Sequence, residues 1–387
     1  MVGVSTMTER TFAEIFPPGE FIEEELEARG WTQIELAEIL GRTPAFVNEL
    51  VKAKRGVTPE TAKALGNAFG SSAQYWMNLE TAYQLWKLKS DDRAIARRAR
   101  LYQLAPIKEM VKRHWIEPTQ NIDVLEQEVL QFFGIASLDE MESMPHAARK
   151  STSYHDVTPS QRAWLRRASA LGMAVTAKPI TKHSLAEGFG RLRQLLHSVE
   201  EIRQVPRVLS DMGIRFVVVE ALPQTRIDGA CIWLDRHTPV IALSLRYDRI
   251  DAFWFSLAHE LGHVKNGDGA QPFFLDTDLV SDQTGEMAPG HPSESVELRA
   301  NAFASEFLVP KTEMDDFIAR TAPLFYGPKI LRFAKRIKVH PGIIVGQLQH
   351  RKQISYSQNR KMLERIKHII TQSALTDGWG SFPPANL

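Results

Sequence analysis

Residues Phe253–Asp268 read FWFSLAHELGHVKNGD, with two histidines four residues apart and a glutamate directly after the first. On an α-helix, residues i and i+4 share a face, so His259 and His263 aim their imidazoles at one point. Glu260 lies one residue further round the helix, beside that point, where a carboxylate can act on a water held by a metal. The same pattern also arises by chance on ordinary helices, and the chain has 12 histidines. The motif by itself therefore leaves a metal centre and a plain helix both open.

The flanks supply the context. Upstream, MGIRFVVVEALP, GACIWLD and PVIALSLRY are short β-branched runs bounded by Gly, Pro and Asp, and they predict strands. Downstream, a Gly/Pro/Asp-rich stretch over roughly 266–292 reads as a loop, and SESVELRANAFASEFLV predicts a second helix ending at Pro310. A metal with one open position takes three protein ligands. Glu297, Ala300, Asn301, Ala304 and Leu308 recur at helical spacing, so a carboxylate and two small alanines share a face suited to close packing on the histidine helix. Glu297 is the expected third ligand. Glu294 and Asp268 are the alternatives, and a solvated acid near a helix N-terminus is the bland reading of Glu297. Gly262 removes side-chain bulk beside the histidines. Tyr247, His237 and His291 lie in neighbouring segments as candidate donors to an oxyanion, with none singled out.

Composition narrows the chemistry. A chain of 387 residues, 43% hydrophobic, has room for two or three domains. A formal net charge of +1 excludes a global polycation, so nucleic-acid contact must come from a local patch. Cys231 is the single cysteine. That excludes an intrachain disulfide framework and a cysteine-based zinc site within one chain, leaving histidines and carboxylates to hold any metal. The start, MVGVSTMTERTFAEIF, lacks the basic opening and apolar core of a signal peptide, and no uncharged apolar run approaches the ~20 residues of a membrane span. A cytoplasmic protein without a membrane partner is the expectation.

Residues 14–89 predict a compact all-helical module. TQIELAEIL opens at a Thr32 cap and stops at Gly41, TPAFVNELVKAK has Thr43 as cap and Pro44 at its first position, and TPETAKALGNAFG repeats the Thr-Pro opening at Thr58 and Pro59. Residues 90–204 read as a weakly patterned helical connector with a basic run, RAIARRARLYQ. Residues 205–315 hold the strands and the two motif helices, and 316–373 form a helical extension.

FSLAHELGH followed by ELRANAFASEFLVP resembles the ImmA/IrrE family of zinc-dependent metallopeptidases, whose signature is HExxH and then E-x-x-A-(N or D)-x-F-A before a short apolar stretch ending in Pro. The likeness covers roughly residues 205–310, and the helical tail more loosely. It implies Zn2+ as cofactor, His259, His263 and Glu297 as its ligands, Glu260 as general base, and a protein substrate, because such relatives cleave helix-turn-helix repressors. The stretch between the two motifs is longer than the family pattern.

WTQIELAEILGRTPAFVNELVKAKRGVTPETAKALGNAFG, with its T-Q-x-x-L-A spacing and glycine turn, resembles the helix-turn-helix of the XRE superfamily. With SSAQYWMNLETAYQLWK after it, it is similar to the HigA branch, antitoxins that also repress their own operons. This resemblance implies operator DNA as a partner, a cognate toxin, and a homodimer on paired half-sites. It places Thr43, Pro44, Ala45, Phe46 and Glu49 near bases and Arg42, Lys52, Lys54 and Arg55 near phosphates. Relatives tend to carry Arg, Gln or Ser at 44–46, where this chain has Pro, Ala and Phe, so only hydrophobic contact to thymine methyls stands out. A module retained for protein binding or dimerisation is the alternative. A second basic stretch, KILRFAKRIKVHPGIIVGQLQHRK, offers Lys335, Arg336, Lys338 and Arg351 either to phosphate or to solvent.

The resulting expectation is a mainly α protein with a small α+β zincin-like domain behind an N-terminal all-α helix-turn-helix bundle. Its function reads as a DNA-binding regulator, antitoxin-like, with a zinc-dependent endopeptidase that cleaves a specific regulator, itself included. The alternative is a non-enzymatic HigA-type repressor whose zinc domain is structural or signal-sensing.

Overall fold

The structure, a computed structural model, describes residues 15–88, 92–143, 149–150, 157–268, 274–277 and 292–379. The chain divides into two compact units between Ile95 and Ala96. Helices dominate both, and the second unit adds one small mixed sheet.

The first unit holds α1 (Pro18–Arg29), α2 (Gln33–Leu40), α3 (Pro44–Val51), α4 (Pro59–Phe69) and α5 (Ala73–Lys87). Their boundaries follow local chemistry. Thr32 and Glu35 form a reciprocal capping box, Thr43, Thr58 and Ser72 each accept from the third residue of their helix, and Gly30, Gly41 and Gly70 close helices at positive φ. Ile22, Leu36, Val47, Leu65 and Trp76 are fully buried and form the core of this bundle. The Glu80 carboxylate, also buried, accepts a hydrogen bond from the Val57 backbone N–H at 2.9 Å and so pins the loop before α4 onto α5. The turn after α3 uses Ala53 at φ 51°, a left-handed position that an alanine occupies at some steric cost.

In the second unit, α6 (Asp92–Leu104) spans the boundary. It is followed by α7 (Ile107–Lys112), α8 (Ile122–Phe133), α9 (Leu138–Ser143), α10 (Pro159–Ala174), α11 (Lys182–Leu195) and α12 (Val205–Met212). Next come β2 (Arg215–Val218), β3 (Ile227–Trp233), β4 (Pro239–Leu243) and α13 (Ile250–Asn266), then α14 (Pro292–Leu308), α15 (Lys311–Thr321), α16 (Gly327–Ile337), α17 (Pro341–His350) and α18 (Lys367–Ile370). Three further strands complete the sheet: β1 (Arg149–Lys150), β5 (Phe274–Thr277) and β6 (Leu375–Thr376). The strand order is β1-β5-β3-β4-β2-β6. β3 runs antiparallel to β4 and β5, and the other pairs are parallel. The stretch expected as loop over 266–292 thus contains a strand, paired in register Ala230 to Leu275 and Cys231 to Phe274. Residues 269–273 and 278–291 of that stretch, His291 among them, lie outside the described residues.

The central strands are buried on both faces, which explains why they read as continuous apolar runs instead of alternating ones. Phe216, Val218, Cys231, Ile241 and Leu243 face a core built with α12, α13 and α17. Val217, Ala230, Ile232, Val240 and Ala242 face the opposite way, into a second core with α8 and α10. The helices over 96–204 are therefore part of this unit's interior. Trp164 of α10 is fully buried and donates its indole N–H to the Val219 carbonyl at 2.9 Å, and Gly172 lets α10 lie against Val240 of β4. Among the described residues, no helix is long and apolar enough to cross a membrane.

Candidate metal centre

α13 is the central helix of the second unit. All of its residues except Phe255, Lys265 and Asn266 are buried, among them three titratable side chains, His259, Glu260 and His263, at 0% exposure. Burying such groups is costly unless each meets a partner of suitable chemistry. α14 brings one. Gly262 faces Ala300, and a Cβ on Gly262 would come within 3.1 Å of the Ala300 Cα. Ala300 and Ala304 are fully buried in the contact. Small residues on both helices set the separation that carries Glu297, 2% exposed, up to the histidines.

Three donor atoms meet there. His259 Nε2 and His263 Nε2 are 3.0 Å apart, and Glu297 Oε2 lies 3.2 Å from the first and 3.7 Å from the second. Ligands about 2.0–2.1 Å from one ion at tetrahedral angles stand about 3.3–3.4 Å from each other. The observed triangle has that size, and two imidazoles with one carboxylate form a donor set that suits zinc, so these residues fit the group that the sequence motif implies.

The ring nitrogens that point away from the triangle are also held. Asn301 Oδ1 stands 3.0 Å from His259 Nδ1. A carboxamide oxygen only accepts, so Nδ1 carries the proton and Nε2 keeps its lone pair for the triangle. Asp268 Oδ2 lies 3.5 Å from His263 Nδ1. Gly267, at φ 69°, turns the chain back at the end of α13, and the Asp268 N–H bonds the His263 carbonyl at 3.0 Å. Asp268, an alternative ligand on sequence grounds, is therefore placed at the outer nitrogen of His263, and Glu297 takes the position in the triangle. The side chain of Glu294, the other alternative, lies outside the described residues.

Glu260 points towards the sheet. A Cβ on Gly229 of β3 would fall 2.4 Å from Glu260 Oε1 and 3.0 Å from Leu243 Cδ2, so the glycine makes the space that the carboxylate fills. Gly229 and Asn301 have roles that sequence reading did not assign. The signal for Gly229 was a glycine inside the strand run DGACIW. Of the oxyanion candidates, His237 is exposed in the turn between β3 and β4, where its backbone N–H meets Asp235 at 2.7 Å. Tyr247 packs under the Arg246 and Arg249 guanidinium groups, at 5.0 and 5.9 Å.

In the first unit, the residues singled out for DNA gather around the start and end of α3. Arg42, Thr43, Pro44 and Ala45 are exposed, as are Lys52, Lys54 and Arg55. Half-buried Phe46 lies between two guanidinium groups, Arg42 at 5.5 Å and Arg55 at 5.0 Å. Arg42 pairs with Glu60 at 2.6 Å and Arg55 with Glu49 at 2.8 Å.

Comparison with known proteins divides the chain in the same sense. Residues 22–76 match the helix-turn-helix family and residues 210–351 the IrrE N-terminal-like domain family. Virulence-associated protein I of Dichelobacter nodosus is 40% identical over 79 residues, 20% of this chain and 73% of that protein. The uncharacterized HTH-type transcriptional regulator YddM of Escherichia coli is 35% identical over 68 residues, 18% of this chain and 72% of that protein. Among solved structures, the Pseudomonas aeruginosa antitoxin HigA with the higBA promoter shares 35% identity, covering 19% of this chain and 82% of that one, with a TM-score of 0.19. A second Pseudomonas aeruginosa protein, in complex with its operator DNA, shares 34% identity over 20% of this chain and 85% of that one, with a TM-score of 0.19. The chain belongs to the helix-turn-helix family through its N-terminal unit and carries an IrrE N-terminal-like domain in its second.

Proposed function

We propose that this member of the helix-turn-helix family is a DNA-binding regulator whose IrrE N-terminal-like domain is a zinc-dependent endopeptidase acting on a specific protein, a helix-turn-helix regulator or the chain itself. The observation that carries the proposal is the buried triangle of His259, His263 and Glu297 with the Glu260 carboxylate on the next position of the same helix. His259, His263 and Glu297 would hold the zinc, which when bound would supply a Lewis acid and make a water more acidic.

The chain's own residues do the rest. His259 and His263 present Nε2 lone pairs to the triangle, with the His259 tautomer fixed by its bond to Asn301 and the Asp268 carboxylate 3.5 Å from the outer nitrogen of His263. Glu260, seated against Gly229 on the helix position next to His259, would take a proton from the attacking water and return it to the departing amine. The surrounding apolar core excludes bulk water and strengthens these charge interactions.

For the first unit, the reading is that the N-terminal half of α3 enters the major groove of an operator. Thr43, Pro44, Ala45, Phe46 and Glu49 would lie at base edges, and Arg42, Lys52, Lys54 and Arg55 would meet phosphates. The relative described as an HTH-type transcriptional regulator supports this reading.

The test is zinc analysis of the purified wild-type chain beside His259→Ala and Glu297→Ala, with each protein then incubated with helix-turn-helix regulators of the same genome. Loss of zinc and of cleavage in both variants supports the reading. Zinc retained in Glu297→Ala refutes the third ligand, and zinc bound without any cleavage by wild type points to a repressor with a structural metal.

A further inference from the structure

The basic stretch at 329–352 is not used by either proposed activity, and the fold gathers part of it into a groove. Between α11 and α16 lies a cleft of about 1080 Å³. Its floor is aliphatic, made by Pro310, Leu331, Ala334, Ile337 and Val339, and Leu331 remains 49% exposed. Its rim is cationic. Arg193 and His197 stand on one side, with Lys335, Arg336 and Lys338 on the other, all exposed. The single carboxylate in the lining, Glu313, is paired with Arg336. Among the described residues, Arg193, Lys335 and Lys338 make no ion pair. Lys338 is presented by a left-handed residue at the end of α16, φ 58°, where cations also sit favourably against the helix dipole.

We propose that this groove is a docking site for an acidic amphipathic protein segment, one that lays two or three apolar side chains on the aliphatic floor and sets carboxylates against Arg193, Lys335 and Lys338. Charge complementarity selects the occupant, and the floor selects its class. Single-stranded nucleic acid stacks its bases on aromatic rings, and this lining holds no Phe, Tyr or Trp. An apolar floor with a charged rim is the layout that receives an amphipathic helix. The groove reaches Pro310, just past the end of α14, and from Glu297 to Leu308 that helix runs about 16 Å. A segment seated in the groove is thus a few residues of extended chain from the donor triangle. Docking stands without the peptidase reading, whereas its use in recruiting a substrate rests on that reading.

The test uses the full-length chain carrying Glu260→Gln, so that binding is measured without turnover. The probe is a fluorescein-labelled dodecapeptide, EELLEELFEELL, followed by anisotropy at low and moderate salt. The expected result is saturable binding that weakens with salt, falls at least tenfold in the Lys335→Glu, Lys338→Glu double variant, and falls likewise when the peptide's glutamates become glutamines. Both lysines are exposed, and an unchanged thermal melt and zinc content confirm that the variant is folded. Equal binding of the peptide to both proteins overturns the proposal. So does a double variant that binds the peptide normally but loses affinity for duplex DNA, which would mark the groove as a nucleic-acid surface.

Discussion

Replacing Asn301 with leucine removes the acceptor of the His259 Nδ1–H while keeping a side chain of similar size on α14. The bond is 3.0 Å long, His259 is 0% exposed, and a leucine on the half-buried Asn301 position offers its Nδ1–H no acceptor. A buried donor left without a partner costs about 1–3 kcal/mol, which is roughly a 5- to 150-fold change in an equilibrium constant. Independent experience with the outer partners of metal-ligating histidines gives a loss of about 10–100-fold in metal affinity. Zinc affinity of Asn301→Leu, measured by competition with a chromophoric chelator, is therefore expected to fall by about one to two orders of magnitude. Asn301→Asp keeps an acceptor and adds charge, so it should bind zinc at least as tightly as wild type. An affinity for Asn301→Leu within threefold of wild type would refute the reasoning, because His259 would then need no such orientation.

Other outcomes follow from the same structure. Gly229→Ala puts a methyl 2.4 Å from Glu260 Oε1, so cleavage should drop by about tenfold or more while zinc binding is kept, a split that a metal titration beside an activity assay resolves. Asp377, buried beside Arg113, Arg167 and Glu220, has its pKa raised by burial from 3.8 to about 6. Its neutral form is favoured in the folded chain, so the stability it contributes is fully present below pH 3.8 and is lost as pH rises through about 6. Thermal melts should therefore show a decline over that window that Asp377→Asn flattens. For the first unit, the Lys52→Ala, Lys54→Ala double variant should weaken operator binding with little change in sequence preference, and should reduce the log–log salt slope by about two in a titration against ionic strength.

The meeting of His259, His263 and Glu297 was legible because it depends on helical spacing in two segments and on small residues that let those segments touch. Helix ends in the first unit were legible for a similar reason: Thr32, Thr43, Thr58 and the closing glycines act on neighbours within four residues. What was hidden needs the third dimension. Gly229 shapes a pocket for a residue 31 positions later. Asp268 reaches His263 only because Gly267 reverses the chain. β5 sits in a stretch whose Gly, Pro and Asp content argues against a strand, and its order comes from pairing with β3. α10 is wedged against the sheet through Trp164 and Gly172, so its burial pattern is set by tertiary contact and not by one apolar stripe.

The central claim is that the triangle holds zinc for peptide-bond hydrolysis with Glu260 as the proton carrier. The most direct measurement compares zinc-loaded wild type with zinc-loaded Glu260→Gln, each incubated alone and with helix-turn-helix regulators, and reads new protein termini by mass spectrometry. New termini with wild type and none with Glu260→Gln, at equal zinc content, are the predicted result. Cleavage at the same bond and rate by Glu260→Gln would contradict it.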